Sequence, residues 1–170
     1  MTQLPPSRDT ELFAGLKVLL VEDSGEMRRL LVALLEAIGI GEIICAADGH
    51  TGLKLFVERA PDIVITDGAM HPMDGYEMTR AIRAMRKPDD APGQGSDIPV
   101  LMLSGHVGPE IIARARDEGV TDYIVKPVTP MLLYERLIAA IARPAHIVET
   151  PTYRGPSPTR RLVAREADNG

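Results

Sequence analysis

The chain alternates between two hydrophobic patterns. Five short runs are mostly apolar without alternation, as is typical of strands buried in a parallel sheet, and they occupy residues 17–21, 42–46, 63–67, 99–104 and 123–125. Each run precedes a segment whose apolar residues recur every three or four positions, within residues 24–38, 50–59, 75–85, 109–118 and 130–142. Five strand-helix units predict a doubly wound α/β fold, with a five-stranded parallel sheet and five helices.

Two terminal segments lie outside this alternation. Residues 1–15 are polar and contain adjacent prolines, so we expect an N-terminal extension. Residues 144–170 are punctuated by prolines and show no apolar periodicity, which predicts a flexible C-terminal tail. The predicted domain therefore spans residues 16–143, with a long loop rich in proline, glycine and aspartate at residues 86–97.

Composition excludes several classes of protein. A net charge of −5 has the wrong sign for a protein that binds the nucleic-acid backbone, so we expect no direct nucleic-acid partner. No apolar stretch has the length of a membrane span or the pattern of a signal peptide, so no membrane partner is expected. The single cysteine, Cys45, lies in an apolar run and is expected to be a small buried residue. One cysteine without a disulfide partner fits a cytoplasmic protein.

Polar residues stand at the carboxyl ends of four predicted strands. Glu22 and Asp23 follow the first strand, Asp67 ends the third, Ser104 ends the fourth, and Lys126 follows the fifth. Ligands bind at this edge of open α/β sheets, so we expect these side chains to meet there. Clustered carboxylates repel one another and are commonly held by Mg²⁺. Beside a metal ion and a lysine, Asp67 is predicted to attack a phosphoryl group.

The motifs around these residues resemble those of the receiver domain of two-component response regulators. In chain order they are Val21-Glu-Asp-Ser24, Thr66-Asp-Gly-Ala-Met70, Met73-Asp-Gly75, Leu103-Ser104-Gly105 and Asp122-Tyr-Ile-Val-Lys-Pro127. The resemblance covers roughly residues 16–143. It implies a flavodoxin-like sheet with strand order 2-1-3-4-5, and a phosphoacceptor that has at most self-catalysed phosphotransfer and dephosphorylation rather than an enzyme.

The same resemblance implies roles at the candidate site. Asp67 matches the phosphoacceptor, and Lys126 matches the lysine that contacts both the carboxylate and the phosphoryl group. Glu22 and Asp23 match the acid pair that binds Mg²⁺. Asp67 and the backbone carbonyl of Ala69 complete the implied set of metal ligands.

The resemblance also implies a conformational switch and shows three departures, which are His71, Gly105 in place of the usual small alanine, and the long loop at residues 86–97. Ser104 matches the switch hydroxyl and Tyr123 the switch aromatic, while Pro127 matches a proline preceded by a cis peptide bond. His71 intervenes where the family commonly has Met-Pro, so the loop after the phosphoacceptor can follow a different path. His106 should overlook the phosphoryl group, and we interpret it as a modulator of dephosphorylation.

The implied function is that of a single-domain response regulator. It would receive the phosphoryl group from a sensor histidine kinase or a histidine phosphotransfer protein and signal by protein-protein contact or phosphorelay, as a monomer or a phosphorylation-dependent dimer. No DNA-binding or catalytic domain fits after Arg143, which favours a stand-alone protein.

The residues directly after the first strand argue against two alternative functions. A haloacid-dehalogenase type phosphatase or phosphotransferase also uses an aspartyl nucleophile, but its first strand should end in Asp-x-Asp, and this one ends in Glu22-Asp23-Ser24. A nucleotide-binding or flavin-binding module would need a glycine-rich loop there, and this chain supplies only Gly25.

Overall fold

A parallel sheet forms the centre of the molecule in the computed structural model, which describes residues 8–85 and 97–167. Its first five strands are β1 (Lys17–Val21), β2 (Glu42–Ala46), β3 (Ile63–Asp67), β4 (Val100–Ser104) and β5 (Asp122–Val125). They are ordered β2-β1-β3-β4-β5, and each pair is parallel. The predicted doubly wound, flavodoxin-like arrangement is therefore confirmed. Apart from Asp97, the predicted loop at 86–97 lies outside the described residues.

Helices connect and cover these strands. The described helices are α1 (Arg8–Ala14), α2 (Gly25–Ile38), α3 (Gly49–Arg59), α4 (Gly75–Ala84), α5 (Pro109–Glu118) and α6 (Pro130–Ala142). Side chains cap the starts of α2, α3, α4 and α6 by accepting backbone N–H bonds, as Ser24 does from Met27 at 3.2 Å. At α4 the bond is reciprocal, because Asp74 and Glu77 each accept the other's backbone N–H.

The prediction of five helices is wrong by one, because the N-terminal extension contains α1. Phe13 anchors this helix in the core with no exposed surface, and its ring meets Tyr134 of α6 edge-on at 5.5 Å. The Tyr134 hydroxyl also donates to Asp9 at 2.7 Å. A seven-residue helix with a single buried anchor has no repeating apolar pattern, so its sequence carries no periodic signal.

The tail adds strands that the sequence did not predict. Strands β6 (Ile147–Glu149) and β7 (Arg154–Pro156) form an antiparallel pair, and β8 (Ala164–Arg165) pairs in parallel with β5. The described sheet thus has six strands rather than the predicted five. Strands of two or three residues are too short to show alternation, which is why the pattern missed them. The flexibility of this segment stays a prediction.

Helices pack on both faces of the sheet, and the inner strands β1 and β3 are therefore buried on both sides. Along β1, Val18 and Leu20 belong to the cluster formed with α2 and α6, whereas Leu19 and Val21 belong to the cluster formed with α3 and α4. All five residues of β3 are buried. This two-sided burial explains the continuous apolar runs. Because the strands are parallel, their carboxyl ends lie at the same edge of the sheet.

Cys45 corrects another expectation. It lies on β2, at the edge of the sheet, where its neighbours Ile44 and Ala46 are buried but Cys45 is exposed. Side chains alternate between the two faces of a strand, and only one face of β2 is covered at this position. An apolar run on an edge strand therefore does not ensure burial of each of its residues.

Arg83 is a buried cation at the opposite end of the sheet from the predicted site. Its guanidinium donates to the backbone carbonyls of Gly119, at 2.8 and 3.0 Å, and Ile98, at 2.7 Å. It also donates to the Thr121 hydroxyl at 3.2 Å. Burial lowers the pKa of Arg83 to about 10. These bonds join the end of α4 to the segments that enter β4 and β5.

No helix in the described part of the chain combines the length and the apolar character needed to cross a lipid bilayer.

Candidate functional site

The structure brings the predicted polar residues together at the carboxyl edge of the sheet. Carboxylate oxygens of Glu22, Asp23 and Asp67 all lie within 4.8 Å of one another. Glu22 and Asp67 are buried, with exposed fractions of 2% and 9%, whereas Asp23 is exposed. The cluster therefore combines two sheltered carboxylates with one that faces solvent.

Lys126 lies between the two buried carboxylates. Its Nζ donates to Glu22 Oε2 and to Asp67 Oδ1, both at 3.2 Å. The residue is held by its backbone, since its N–H donates to the carbonyl of Ser104 at 2.8 Å. One ammonium group thus bridges the ends of β1, β3 and β5.

Burial and charge both act on the titration of these groups. Burial raises the pKa of Glu22, and the Asp67 carboxylate adds to the rise, although the Ser24 N–H and Lys126 oppose it. Burial alone would lower the pKa of Lys126, but Asp67 and Glu22 together raise it above its usual value. Three carboxylates share one ammonium, so the site carries an excess of negative charge that a divalent cation would neutralise.

The loop after Asp67 is held close to the strand end. Gly68 donates to the Leu103 carbonyl at 3.1 Å, and Gly75 donates to the Gly68 carbonyl at 3.0 Å. A Cβ on Gly75 would lie only 2.0 Å from the carbonyl oxygen of Asp67, so only glycine fits at the start of α4. Ala69, whose carbonyl the sequence assigned to a metal ion, is exposed in this loop.

A chain of hydrogen bonds connects the end of β4 with β5. The Ser104 hydroxyl accepts the backbone N–H of His106 at 3.1 Å, and the Tyr123 hydroxyl donates to the His106 carbonyl at 2.7 Å. Tyr123 has no exposed surface, while His106 is exposed. The backbone of His106 therefore links the two residues that the sequence matched to a switch.

A second aromatic residue, Tyr76, lies beside Tyr123 in the same buried cluster. The Arg114 guanidinium of α5 stacks over the Tyr76 ring at 4.2 Å and forms an ion pair with Asp74 at 3.1 Å. Burial raises the pKa of the Tyr76 hydroxyl. Sequence analysis missed these contacts because they join residues of α4 and α5 that no motif pairs.

The comparison that decides the family covers most of the chain. Residues 18–138 match the response regulator receiver domain family. This chain belongs to that family. The peptide bond from Lys126 to Pro127 is cis, as the receiver-domain resemblance implied, and so is the bond from His71 to Pro72.

Similar proteins include chemotaxis proteins and longer regulators. A chemotaxis protein CheY homolog of Campylobacter jejuni is 32% identical over 123 residues, which cover 72% of this chain and 89% of that protein. The probable transcriptional regulator ycf27 of Guillardia theta is 35% identical over 137 residues. The match covers 79% of this chain but 49% of that regulator, so the receiver domain spans about half the length of such relatives.

Solved structures show the same fold. The chemotaxis protein CheY4 of Vibrio cholerae superposes with a TM-score of 0.65 at 31% identity, over 74% of this chain and 98% of that one. A putative response regulator from Chloroflexus aurantiacus gives a TM-score of 0.66 at 26% identity, over 75% of this chain and 98% of that one. This chain is thus a response regulator receiver domain with additional described structure at both termini.

Proposed function

We propose that this receiver domain accepts a phosphoryl group on Asp67. The observation that carries the proposal is the position of Lys126, whose Nζ lies 3.2 Å from both Asp67 and Glu22 at the carboxyl edge of the sheet. In the transfer, an Asp67 carboxylate oxygen forms a bond to phosphorus while the bond between phosphorus and the donor breaks. Lys126 then contacts both the aspartyl oxygen and the charged phosphoryl oxygens.

The donor set fits Mg²⁺, an ion that prefers oxygen ligands. Glu22, Asp23, Asp67 and the carbonyl of Ala69 would hold the ion, directly or through water. When bound, Mg²⁺ neutralises charge on the phosphoryl oxygens during transfer. The excess negative charge of the carboxylate cluster supports this assignment, since Lys126 compensates only one of three carboxylates.

Phosphorylation would act through Ser104 and Tyr123. A phosphoryl group adds about 1.5 to 2 negative charges, which attract the Ser104 hydroxyl. Because the His106 backbone bonds to both side chains, movement of Ser104 changes the position of the carbonyl that holds Tyr123. The surface formed by α5, β5 and α6 would then change its affinity for a partner. The exposed imidazole of His106 is proposed to influence how fast the phosphoryl group is hydrolysed.

We infer a sensor histidine kinase or a histidine phosphotransfer protein as the phosphodonor. The output would be protein-protein contact or phosphorelay, as a monomer or a phosphorylation-dependent dimer, in the cytoplasm and without direct nucleic-acid or membrane binding. The similarity to chemotaxis proteins that consist largely of this domain supports an output by protein contact. The haloacid-dehalogenase alternative has no support in these comparisons.

Phosphorylation can be tested with a small phosphodonor. The parent protein, incubated with acetyl phosphate and Mg²⁺, should gain one phosphoryl group in its intact mass, and EDTA should prevent the gain. Asp67→Asn should not be labelled, whereas Asp117→Asn, a control on the exposed side of α5, should be labelled like the parent. Labelling of Asp67→Asn at the parent's level, or labelling that persists in EDTA, contradicts the proposal.

A further inference from the structure

The C-terminal segment is anchored at the end of the sheet opposite the candidate site. Gly155 and Pro156 are buried there, and the Tyr153 hydroxyl donates to the Pro156 carbonyl. Arg160 donates to the carbonyls of Pro156, at 3.1 Å, and of Val120. This anchor fixes where the following residues start along the sheet.

The residues after this anchor, 161–167, run along the edge of β5 that faces away from β4, and we call them the strap. Tyr123 is the parallel partner of Ala164, and Ile124 is the partner of Arg165. The Arg165 guanidinium also lies 3.6 Å from the Asp122 carboxylate at the start of β5. The strap thus covers the backbone of the strand that carries the proposed switch residue.

Alternate strap residues face the protein and the solvent. Leu162 and Ala164 pack against the buried cluster that contains Tyr123. Val163 and Arg165 are exposed, with 37% of Val163 accessible. This two-residue period places two apolar side chains over the outer side of the switch region.

Hydrogen bonds through His106 connect the Tyr123 hydroxyl to Ser104 of the candidate site. The Tyr123 hydroxyl bonds to the His106 carbonyl, and the His106 N–H bonds to the Ser104 hydroxyl. Ala164 is the register partner of Tyr123, and an outward swing of the Tyr123 ring would remove it from the cluster against which Leu162 and Ala164 pack. Docking of the strap therefore favours the buried, inward position of the Tyr123 ring. In this position the Tyr123 hydroxyl bonds to the His106 carbonyl in the loop after Ser104.

We propose that the strap is an intramolecular ligand of the β5 edge that holds Tyr123 inward, so that strap docking and phosphorylation of Asp67 favour each other. The second half of this statement rests on the proposed function. A phosphoryl group draws the Ser104 loop toward the site, and the same loop is bonded to the inward Tyr123. Coupling of this kind is reciprocal, so each event strengthens the other by the same factor.

The first experiment follows Tyr123 in the unphosphorylated full-length protein. The four tyrosines are labelled with 3-fluorotyrosine, and the Tyr123 resonance is identified by its loss in Tyr123→Phe. Leu162→Asn removes an apolar contact and should shift the Tyr123 resonance or split it into two. Val163→Asn, the matched control on the exposed side, should leave it at the parent position. A Tyr123 resonance in Leu162→Asn that coincides with the parent overturns the proposal.

The second experiment measures the coupling as a binding equilibrium. Beryllofluoride stands in for the phosphoryl group at Asp67, and with Mg²⁺ present Leu162→Asn should bind it about fivefold more weakly than the parent, at the low end of ordinary coupling between sites. Val163→Asn and the conservative Leu162→Met should match the parent. Equal affinities in Leu162→Asn and Val163→Asn overturn the coupling, even where the resonance has moved.

These outcomes separate the proposal from the function on which it partly rests. Absence of phosphorylation in the parent contradicts the proposed function, while the tyrosine resonance still decides whether the strap holds Tyr123. Normal phosphorylation of the parent together with an unmoved resonance contradicts the strap alone. Thermal unfolding of each variant shows whether it is folded, and Leu162→Ala replaces Leu162→Asn with a milder change if the latter unfolds.

Discussion

Replacing Gly75 by alanine should damage the site without touching any of its charged groups. The added Cβ would lie 2.0 Å from the carbonyl oxygen of Asp67 and 3.0 Å from the Thr66 hydroxyl. An unstrained contact between carbon and oxygen is about 3.3 Å, so the start of α4 must move away from β3 by roughly an ångström. This movement would break the bond from the Gly75 N–H to the Gly68 carbonyl, now 3.0 Å long.

The energetic cost comes from these two changes. Overpacking in a well-packed region costs about 1 to 3 kcal/mol, and a lost backbone hydrogen bond costs roughly 1 kcal/mol more. A total of about 2 to 4 kcal/mol should lower the midpoint of thermal unfolding by roughly 5 to 15 °C in a chain of this size. Phosphorylation from acetyl phosphate should also slow, because Gly68, directly after Asp67, loses its bond to the displaced start of α4.

The control is Gly105→Ala, since a Cβ on Gly105 meets nothing within 4 Å. Thermal unfolding followed by circular dichroism, together with the rate of phosphorylation, compares the two variants with the parent. Gly105→Ala should resemble the parent in its unfolding midpoint. A Gly75→Ala variant that unfolds within about 1 °C of the parent and is phosphorylated at the same rate would refute the reasoning.

Three further substitutions test other parts of the structure. Arg83→Met leaves the buried carbonyl of Gly119 and the partly buried carbonyl of Ile98 without this donor, and should destabilise the fold by about 3 kcal/mol, measured by urea unfolding. A loss below about 1 kcal/mol contradicts this view of its bonds. His106→Ala should change the half-life of the phosphorylated protein severalfold, whereas Val107→Ala should not; identical decay in both argues against a role for the imidazole. Tyr134→Phe removes the bond to Asp9 and should cost about 1 kcal/mol, with faster hydrogen exchange confined to α1; unchanged exchange there contradicts this role for the bond.

The sequence predicts the strands, and the meeting of polar residues at one edge of the sheet, for the same physical reason. Strands buried on both faces must be apolar throughout, so a polar residue such as Asp67 or Lys126 marks where a strand leaves the core. Parallel strands then bring these marked ends to one edge. Spacing along the chain is sufficient for this prediction, because the fold repeats one unit with one direction of crossover.

The terminal segments could not be predicted in this way. The helix α1 depends on the packing of Phe13 against Tyr134, two residues far apart in the sequence. Strand β8 depends on the free edge of β5 and on a long-range bond from Arg160 to Val120. Such elements take their stability from tertiary contacts rather than from periodicity, and a single sequence does not show which distant residues will meet.

The exposure of Cys45 has a related cause. The apolar run around it correctly predicts β2, but the sequence alone does not show that β2 is an edge strand. At the edge, one side of the strand packs on the core through Ile44 and Ala46, and on the other side the Cys45 side chain faces solvent. An expectation of burial therefore requires the strand order as well as the hydrophobic pattern.

Strand β5 connects the three parts of the molecule that matter for signalling. Its first residue, Asp122, is the ion-pair partner of Arg165 in the strap, and its second, Tyr123, is covered by the strap and bonded to the loop after Ser104. Lys126 directly follows its last residue and contacts Asp67. Because β5 has only four residues and pairs on both sides, a shift that accompanied the proposed phosphorylation would not be easily absorbed within the strand. A segment docked on this edge is therefore well placed to sense the state of Asp67 without touching it.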